Sequence, residues 1–594
     1  MRIFEPKAMN LPIEAYQKKV RKRTRILSFL LTVWAIGIFF RLVDLQVFLH
    51  PGFKAQVAKQ NQDRTKILPE RGTIYDRNGK ILARSLPVPS LFYSPPSEES
   101  FELQMKTIRR LETTLGLSAK DVERIKARLQ KRSSFAWIKR KVDAATAERI
   151  MALGLNGVSS RAEPKRFYPQ GTLAAHVLGG VDIDDKGQGG IELAYDEVLR
   201  GKEGEVLILR DVKRREYYSE VLKEPHSGND ITLTIDENIQ YITQRELGKA
   251  VLENRADWAT AIVSRPDSGE ILAMASCPGF DPNVYPPSPE EEVNRATRFN
   301  YEPGSTFKIV TASAALENRA VGLNDIFDCS EGLIAVPGSP IRDHKRFGLL
   351  TFPQAVVHSS NVGMILVGQR LDPDAFYRLI QAFGFGRRTG LDLPAEEAGR
   401  LMPPEKWSRR SLPALSIGYE ISATAIQILQ AINIIANRGL LIRPKIVSAV
   451  EGSTAVGLKE PAPPVPVISE KTAVTLIKIL EQVVLEGTGQ AARINGYTAA
   501  GKTGTTQKID PELKRYSSSK HIASFVGFVP VERPAISVIV VLDDPQKADH
   551  YGGQIAAPVF REISYQVLRY LRVNPQKELM KAALVTNPGR EGDR

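Results

Sequence analysis

Three short motifs in the second half of the chain carry side chains suited to nucleophilic catalysis. They are Ser305-Thr306-Phe307-Lys308, Ser359-Ser360-Asn361 and Lys502-Thr503-Gly504, in that order. If Pro303-Gly304 opens a helix, Lys308 lies on the same helix face as Ser305, one turn later, where its amine can take the hydroxyl proton. A lysine is a base only while it is neutral, and burial or a second cation such as Lys502 lowers its pKa. One such motif alone has little weight, but three in this order predict an active-site serine acyltransferase.

The remaining motif residues suit the binding of a peptide substrate. Ser359 can relay a proton to a leaving amine, and Asn361 offers an amide to a peptide backbone. Lys502, with the hydroxyl of Thr503 or Thr505, can attract a substrate carboxylate. Gly504 permits close backbone approach, and the N–H groups of Ser305 and Thr505 are candidates for an oxyanion hole.

The segment around Lys502 also matches a phosphate-binding loop. Gly496 to Thr503 fits that pattern, and residues 538–543 could supply a magnesium-binding aspartate. Such a loop needs an apolar strand before it and a helix after it, and the flanking residues favour neither. We therefore expect an acyltransferase rather than an NTPase.

The elements that must position these motifs predict an α/β (α+β) fold with a mostly antiparallel sheet covered by helices. A helix is expected over residues 236–254, followed by strands over 259–264 and 270–275 joined by a turn at Arg265-Pro266-Asp267-Ser268-Gly269. Three more strands are expected over 497–506, 522–529 and 536–542. The first and last strands of the sheet would then be far apart in the chain. The region before residue 229 shows short mixed segments and a basic helical stretch near residues 120–140.

The N-terminus predicts a membrane anchor. Six basic residues between Lys18 and Arg25 precede an uncharged run over residues 26–40, and Arg41 and Asp44 interrupt its apolar continuation. A single helix over about residues 25–48 is long enough to cross the hydrocarbon core, with its basic flank in the cytoplasm. No small-residue cleavage site follows Phe40, which disfavours a signal peptide. The body of the chain is then expected outside the cytoplasm, where nucleotide cofactors are scarce.

Composition excludes several other classes of function. The chain has 594 residues and a formal net charge of +14, but six of these charges belong to the first 25 residues. No basic stripe with interleaved aromatics occurs, so a nucleic-acid partner is not expected. The seven histidines and two cysteines show no metal-ligand spacing, so neither a metal nor another cofactor is expected. Cys277 and Cys329 can form one disulfide or remain two thiols, and their sequence separation does not decide.

With these motifs in place, the chain resembles the class B penicillin-binding proteins, which are bitopic peptidoglycan D,D-transpeptidases. The resemblance extends to Arg71-Gly72-Thr73-Ile74-Tyr75-Asp76-Arg77-Asn78-Gly79, Arg166-Phe167-Tyr168-Pro169, residues 187–192, Tyr301-Glu302-Pro303-Gly304 and residues 552–558. It implies five parts: a cytoplasmic tail (1–24), a transmembrane helix (25–48), a non-catalytic, β-rich pedestal (49–229), a transpeptidase domain (230–566) and a C-terminal tail (567–594). The protein is then expected in the inner membrane, with its catalytic domain in the periplasm.

The resemblance also implies roles and partners. Ser305 would be the nucleophile and Lys308 the base, with Ser359 and Asn361 as relay and positioning groups. Lys502, Thr503, Gly504 and Thr505 would form the carboxylate-binding strand. The substrates would be peptidoglycan stem peptides, as D-alanyl-D-alanine donor and amine acceptor, and beta-lactams would acylate the same serine.

The element over residues 552–560 resembles the cell-division (septal) type more than the elongation type. The septal type implies partnership with a glycosyltransferase of the FtsW kind and other divisome membrane proteins. Glu420 departs from the family, where relatives often have a small residue. A D,D-carboxypeptidase or beta-lactamase shares the nucleophile chemistry, and a beta-lactam sensor is a non-enzymatic alternative. Ser360 disfavours a beta-lactamase, because many beta-lactamases have aspartate at this position. The absence of a cytoplasmic signalling domain disfavours a sensor.

Overall fold

The structure is a computed structural model that describes residues 13–53, 62–96, 99–131, 135–210, 216–451, 462–510, 515–546 and 550–576. The N-terminal part is one long helix, α1 (Ile13–Val43), which continues as a π-helical turn over Asp44–Phe48. Its segment Tyr16–Phe48 is long and apolar enough to cross a membrane, and none of its most apolar stretch is buried against the rest of the chain. Arg41 and Asp44, which interrupt the apolar run, form an ion pair at 2.7 Å.

The pedestal consists of two sheets and a group of short helices. A three-stranded sheet has the order β1-β6-β7, and a larger sheet runs β16-β8-β2-β3-β4 with β5 paired to β3. The strand β16 comes from the C-terminal domain, so this sheet joins the two regions. The strands are β1 (Gln62–Ile67), β2 (Ile74–Tyr75), β3 (Ile81–Tyr93), β4 (Ala136–Lys139), β5 (Val158–Phe167), β6 (Gly204–Arg210), β7 (Glu216–Lys223) and β8 (Ile231–Leu233).

Three amphipathic helices cover one face of the sheet at the far end of the pedestal. Each begins at a side-chain cap, at Ser100, Ser118 and Asp143, whose oxygen accepts a hydrogen bond from a backbone N–H in the first turn. Their buried residues form a separate small core with Leu91, Tyr93 and Ile138. The helices of the pedestal are α2 (Phe101–Leu115), α3 (Ala119–Gln130), α4 (Ala144–Met151), α5 (Ala175–Leu178), α6 (Gly190–Ala194) and α7 (Asp196–Arg200).

The C-terminal domain is built on a five-stranded antiparallel sheet of order β10-β9-β20-β19-β18. Its central strands are buried on both faces because alternate side chains pack into two different cores. The strands from here to the C-terminus are β9 (Trp258–Ser264), β10 (Ile271–Cys277), β11 (Ile326–Cys329), β12 (Leu333–Ile334), β13 (Ile341–Arg342), β14 (Gly348–Thr351), β15 (Leu440–Leu441), β16 (Val447–Val450), β17 (Val465–Pro466), β18 (Ala500–Asp510), β19 (Arg515–Val529) and β20 (Ile536–Asp543).

Helices cover both faces of this sheet. The first and last helices of the domain, α8 and α18, pack on one face, and the helix that follows Ser305 packs with its neighbours on the other. The helices are α8 (Glu237–Asn254), α9 (Pro289–Glu292), α10 (Arg295–Arg298), α11 (Lys308–Glu317), α12 (Phe352–Val357), α13 (Asn361–Gly368), α14 (Pro373–Ala382), α15 (Ser411–Ser416), α16 (Ala425–Ala436), α17 (Glu470–Leu485) and α18 (Gly552–Tyr570).

The expected α/β (α+β) architecture is confirmed, with local differences. The stretch near residues 120–140 is helical only to Gln130 and then forms β4, because Trp137 and its neighbours alternate between outer face and core. The strand expected from residue 497 begins at Ala500. The helix α18 continues to Tyr570, past the predicted domain boundary at residue 566. After the helix, the carbonyl of Val573 accepts a hydrogen bond from the Tyr497 hydroxyl. The two cysteines are free thiols.

Candidate active site

Ser305 lies on a short 3-10 turn, Gly304–Phe307, which leads directly into α11. Gly304 has a φ of +54°, and a Cβ there would lie 2.5 Å from the Thr506 hydroxyl, so glycine lets this turn approach β18. The expected helix start is therefore present, with its first turn tighter than an α-helix. Ser305 is partly exposed, whereas Lys308 is fully buried one turn later.

The buried amine of Lys308 faces the second motif. Its Nζ donates to the Ser359 carbonyl at 2.7 Å and to the Asn361 side-chain oxygen at 2.8 Å, and it lies 3.3 Å from the Ser359 hydroxyl. Burial lowers the pKa of Lys308 to about 7, against the opposing attraction of the Asp343 carboxylate. A substantial fraction of this amine is therefore neutral near neutral pH.

The amine of Lys502 also contacts the Ser359 hydroxyl. Its Nζ lies 2.9 Å from the Ser359 Oγ, and the side chain is fully buried. Burial and repulsion from Lys308 hold the pKa of Lys502 well below its usual range. The second cation expected from the sequence is thus present beside Lys308, although burial is the main cause of the lowered pKa of both amines.

One acidic residue that the motifs do not include holds the second motif in place. Asp343, just after β13, accepts hydrogen bonds from the Ser360 hydroxyl at 2.7 Å and from the backbone N–H groups of Asn361 and Val362. Ser360 itself accepts from the Gly363 N–H at the start of α13. The Asp343 carboxylate and the Ser360 hydroxyl therefore accept hydrogen bonds from the first N–H groups of this helix. These bonds fix the direction of Ser359 and Asn361.

The cleft in front of these groups has a volume of about 440 Å³. Five of the eight predicted residues line it, namely Ser305, Ser359, Asn361, Thr503 and Thr505. Lys308 and Lys502 lie behind this surface, and Gly504 faces away from the cleft, where a Cβ would lie 2.3 Å from the Ser524 hydroxyl. The sequence assigned no role in the site to the other lining residues, although Gly553 and Gln554 belong to the segment over residues 552–558 that supports the family resemblance. These other lining residues are His344, Thr488, Gln490, Ala491, Tyr551, Gly553 and Gln554.

The strand β18 forms one wall of the cleft and is the last strand of its sheet. Among the described residues no strand pairs with its outer edge, so backbone groups there can pair with an extended peptide. The Thr503 hydroxyl lies 2.8 Å from that of Thr488, and the Thr505 hydroxyl accepts from the Gly552 N–H at 3.0 Å. Because Lys502 lies inside this strand rather than in a loop before a helix, the arrangement differs from a phosphate-binding loop.

Comparison with known families matches two parts of the chain. Residues 259–565 match the penicillin-binding protein transpeptidase domain, and residues 66–233 match the penicillin-binding protein dimerisation domain. The chain belongs to the class B penicillin-binding proteins. As a class B penicillin-binding protein it is an enzyme of the serine D,D-transpeptidase class.

Relatives and solved structures cover most of this class B penicillin-binding protein. Stage V sporulation protein D of Bacillus subtilis is 35% identical over 94% of this chain and 87% of its own length. The peptidoglycan D,D-transpeptidase FtsI of Escherichia coli is 31% identical over 86% of this chain and 85% of its own length. The crystal structure of penicillin-binding protein 3 from Mycobacterium tuberculosis complexed with aztreonam superposes with a TM-score of 0.67 at 28% identity, covering 87% of this chain and 99% of that one.

The described residues contain no group of three or more histidine, cysteine, aspartate or glutamate side chains that could hold a metal ion. The arrangement described above instead supplies a hydroxyl, two buried amines of lowered pKa and a free strand edge. Such groups suit acyl transfer by a serine nucleophile.

Proposed function

We propose that this chain cross-links peptidoglycan by forming an acyl-enzyme on Ser305. In this mechanism the neutral amine of Lys308 takes the Ser305 proton as the oxygen attacks the penultimate D-alanine carbonyl of a donor stem peptide. The N–H groups of Ser305 and Thr505 stabilise the oxyanion, a contribution of about 3 to 4 kcal/mol for each donor. The C–N bond then breaks, and the proton passes through the Ser359 hydroxyl to the leaving D-alanine.

The observation that carries this proposal is the position of the Ser359 hydroxyl between two buried amines. Nζ of Lys502 lies at 2.9 Å and Nζ of Lys308 at 3.3 Å from this oxygen. A hydroxyl can accept a proton from one amine while it donates its own elsewhere, which is what relay to a leaving group requires. The same contacts discourage protonation of both amines at once.

The substrate carboxylate is assigned to the threonine wall of the cleft. Thr503 and Thr505 present hydroxyls along the open edge of β18, and Thr488 adds a third beside Thr503. Lys502 lies behind them and contributes positive potential when protonated. In the second half of the reaction an amino group of a neighbouring stem peptide attacks the acyl carbonyl and Lys308 takes its proton. The ester bond to Ser305 then breaks, and Lys308 returns the proton to the Ser305 Oγ.

Product analysis tests transfer against hydrolysis. We expect the full chain, given un-cross-linked strands with pentapeptide stems, to release D-alanine and form cross-linked dimers, and Ser305→Ala to form neither. Release of D-alanine without dimers, when acceptor amines are present, would show a carboxypeptidase instead.

We further propose the septal type, with the body of the protein anchored outside the cytoplasm by α1 and a glycosyltransferase of the FtsW kind as its membrane partner. Support comes from the element over residues 552–560 and from the 31% identity to FtsI. The 35% identity to a stage V sporulation protein supports a specialised role in a related process as the second candidate. Depletion of the protein is expected to block division and produce filaments. Rounded cells would indicate the elongation type, and a defect confined to spores would indicate the sporulation role.

A further inference from the structure

A groove lined by aromatic side chains lies on the outer face of the pedestal sheet. In β4, Ala136 and Ile138 point into the core, and Trp137 between them points outward. Phe92 is the cross-strand partner of Trp137 in β3 and points the same way. Outward positions of such a sheet are normally polar, so two adjacent large aromatics mark a contact surface.

A third ring completes this surface. Phe135 lies 5.0 Å from the Phe92 ring and 4.8 Å from the Trp137 ring, and all three side chains are partly exposed. The rings lie at different angles, and the Arg140 guanidinium lies over the Trp137 ring, 5.4 Å from its centroid. We call the cavity that they line the aromatic groove. It has a volume of about 610 Å³, and its opposite wall comes from β1 and Val206 of β6.

The rim of the aromatic groove is basic. Arg64, Lys66 and Arg161 line it together with one carboxylate, Glu163, which pairs with Arg140. Arg64 and Lys66 have exposed glutamate neighbours, whereas Arg161 has no carboxylate within 4 Å in the described part of the chain. A second cavity of about 310 Å³ shares Trp137 and is lined by Arg124, Arg128, Lys139 and Arg140.

The aromatic groove is remote from the active site. Ala83, near one end of β3, pairs with Ile74 of β2, which in turn pairs with β8 where the pedestal meets the C-terminal domain. Phe92 lies nine residues further along the same strand, about 30 Å away at 3.3 Å per residue. The groove also shares no lining residue with the cleft, so a substrate that touches both must be extended.

We propose that the aromatic groove binds the sugar chain of an un-cross-linked peptidoglycan strand, with the stem-peptide carboxylates on its basic rim. The inference rests on the proposed function, which makes such strands the substrate. Sugar rings have apolar C–H faces that pack on aromatic rings, and their hydroxyl and acetamido oxygens accept hydrogen bonds from arginine. The charge of the rim complements the acidic stem peptides. Binding there holds the polymer near the enzyme and raises the local concentration of stem peptides at the cleft.

The test measures strand binding by the full chain in detergent micelles, with Ser305→Ala as background so that no acyl transfer occurs. The probes are end-labelled strands with pentapeptide stems and chitohexaose, an uncharged oligomer of N-acetylglucosamine, and the readout is the dissociation constant from fluorescence anisotropy. The double variant Phe92→Ala/Trp137→Ala is expected to weaken binding of both probes at least tenfold. Arg161→Gln is expected to weaken only the charged strands, about threefold.

Two further variants keep the result interpretable. Trp137→Leu keeps an apolar side chain at this partly exposed position but removes the flat ring, so it is expected to fold normally and still lose affinity for chitohexaose. Tyr218→Ala removes an exposed ring on β7 outside the groove and is expected to change neither constant. Unchanged binding in both Trp137 variants would overturn the proposal. Failure of either probe to bind would also overturn it, and would indicate that an apolar protein segment occupies the groove. Penicillin labelling that survives Ser305→Ala would instead refute the proposed function.

Discussion

At the scale of single residues, the site depends on two amines that are both buried beside one hydroxyl. Neither Lys308 nor Lys502 has a carboxylate partner within 4 Å among the described residues, and the pKa of each is lowered. Burying a charged amine without such a partner is costly, so neutral forms become accessible near neutral pH. The chemistry therefore depends on how deeply these two side chains are enclosed.

The pH dependence of acylation tests the role of Lys308. Because its pKa is lowered to about 7, the neutral base is present above that pH and is lost as the pH falls. Penicillin acylation is expected to be nearly constant above pH 8 and to decrease about tenfold per unit below pH 6, since one pKa unit corresponds to a tenfold change in the base form. Stopped-flow acylation rates provide the measurement.

Lys308→Arg supplies the matched variant, because a guanidinium keeps a positive charge but stays protonated. Its acylation rate is expected to be lower by about 10² to 10⁴, the usual range for loss of a general base. A flat pH profile in the unmodified chain, or near-normal acylation of Lys308→Arg, would refute the assignment of Lys308 as the base.

The sequence predicted the residues of the three motifs and missed residues outside the motifs that join the site only through tertiary contact. Ser305 and Lys308 are one helical turn apart, so their proximity is local. Asp343 reaches the second motif from a hairpin seventeen residues before Ser360, and no periodic pattern connects them. Thr488 joins Thr503 only because α17 ends beside β18. The depth of burial of the lysines was likewise not visible in their own motifs.

At the scale of elements, the start of α13 determines where Ser359 and Asn361 point. Ser359 has a φ of +58°, a conformation that non-glycine residues seldom adopt. Asp343 and Ser360 bind the first N–H groups of the helix and hold this turn. The element is therefore fixed at its N-terminus by a side chain from another part of the domain.

Asp343→Ala tests this positioning. Loss of a cap costs typically about 1 kcal/mol, and misplacement of Ser359 and Asn361 is expected to slow penicillin acylation roughly tenfold. Asp328→Ala is the control, because the exposed Asp328 carboxylate in β11 accepts hydrogen bonds only from Ser330 within the part of the chain that the structure describes. Acylation of Asp343→Ala and Asp328→Ala at equal rates would show that Asp343 has no positioning role. If the effect is positional, Asp343→Asn, which retains an acceptor oxygen, is expected to recover part of the rate.

The strands were predictable as elements but not in length. Continuous apolar runs predict β9 and β20 almost to the residue, because both strands are buried on both faces. β18 and β19 extend several residues beyond their predicted ends into a polar hairpin whose pairing continues to Asp510 and Arg515. That extension depends on cross-strand hydrogen bonds, which no hydrophobic pattern records.

At the scale of the whole molecule, a buried ion-pair network holds the pedestal together. Arg71 and Arg166 each contact the Glu192 carboxylate at 2.6 Å, and the three side chains are almost fully buried. Burial raises the pKa of Glu192, but attraction to Arg166 and Arg71 outweighs this effect and brings the pKa below its ordinary value. Segments more than a hundred residues apart in sequence thus meet at one carboxylate.

Glu192→Gln is expected to destabilise the pedestal by about 3 to 5 kcal/mol, because it leaves the buried Arg166 guanidinium without a charge partner and Arg71 with only Asp196. Differential scanning calorimetry measures the effect as an unfolding transition at a lower temperature. Glu123→Gln removes an exposed glutamate that pairs with Lys126 and is expected to change little. Equal transitions for the two variants would contradict the structural role of the network.

The proposed chemistry requires that Ser305 be the residue that becomes acylated. Mass spectrometry of the penicillin adduct measures this directly: the full chain is incubated with benzylpenicillin, digested, and the modified peptide sequenced. We expect a single adduct on Ser305, no adduct in Ser305→Ala, and retention of the adduct in Tyr218→Ala. An adduct on another side chain, or none on the unmodified chain, would contradict the assignment of the nucleophile and with it the proposed chemistry.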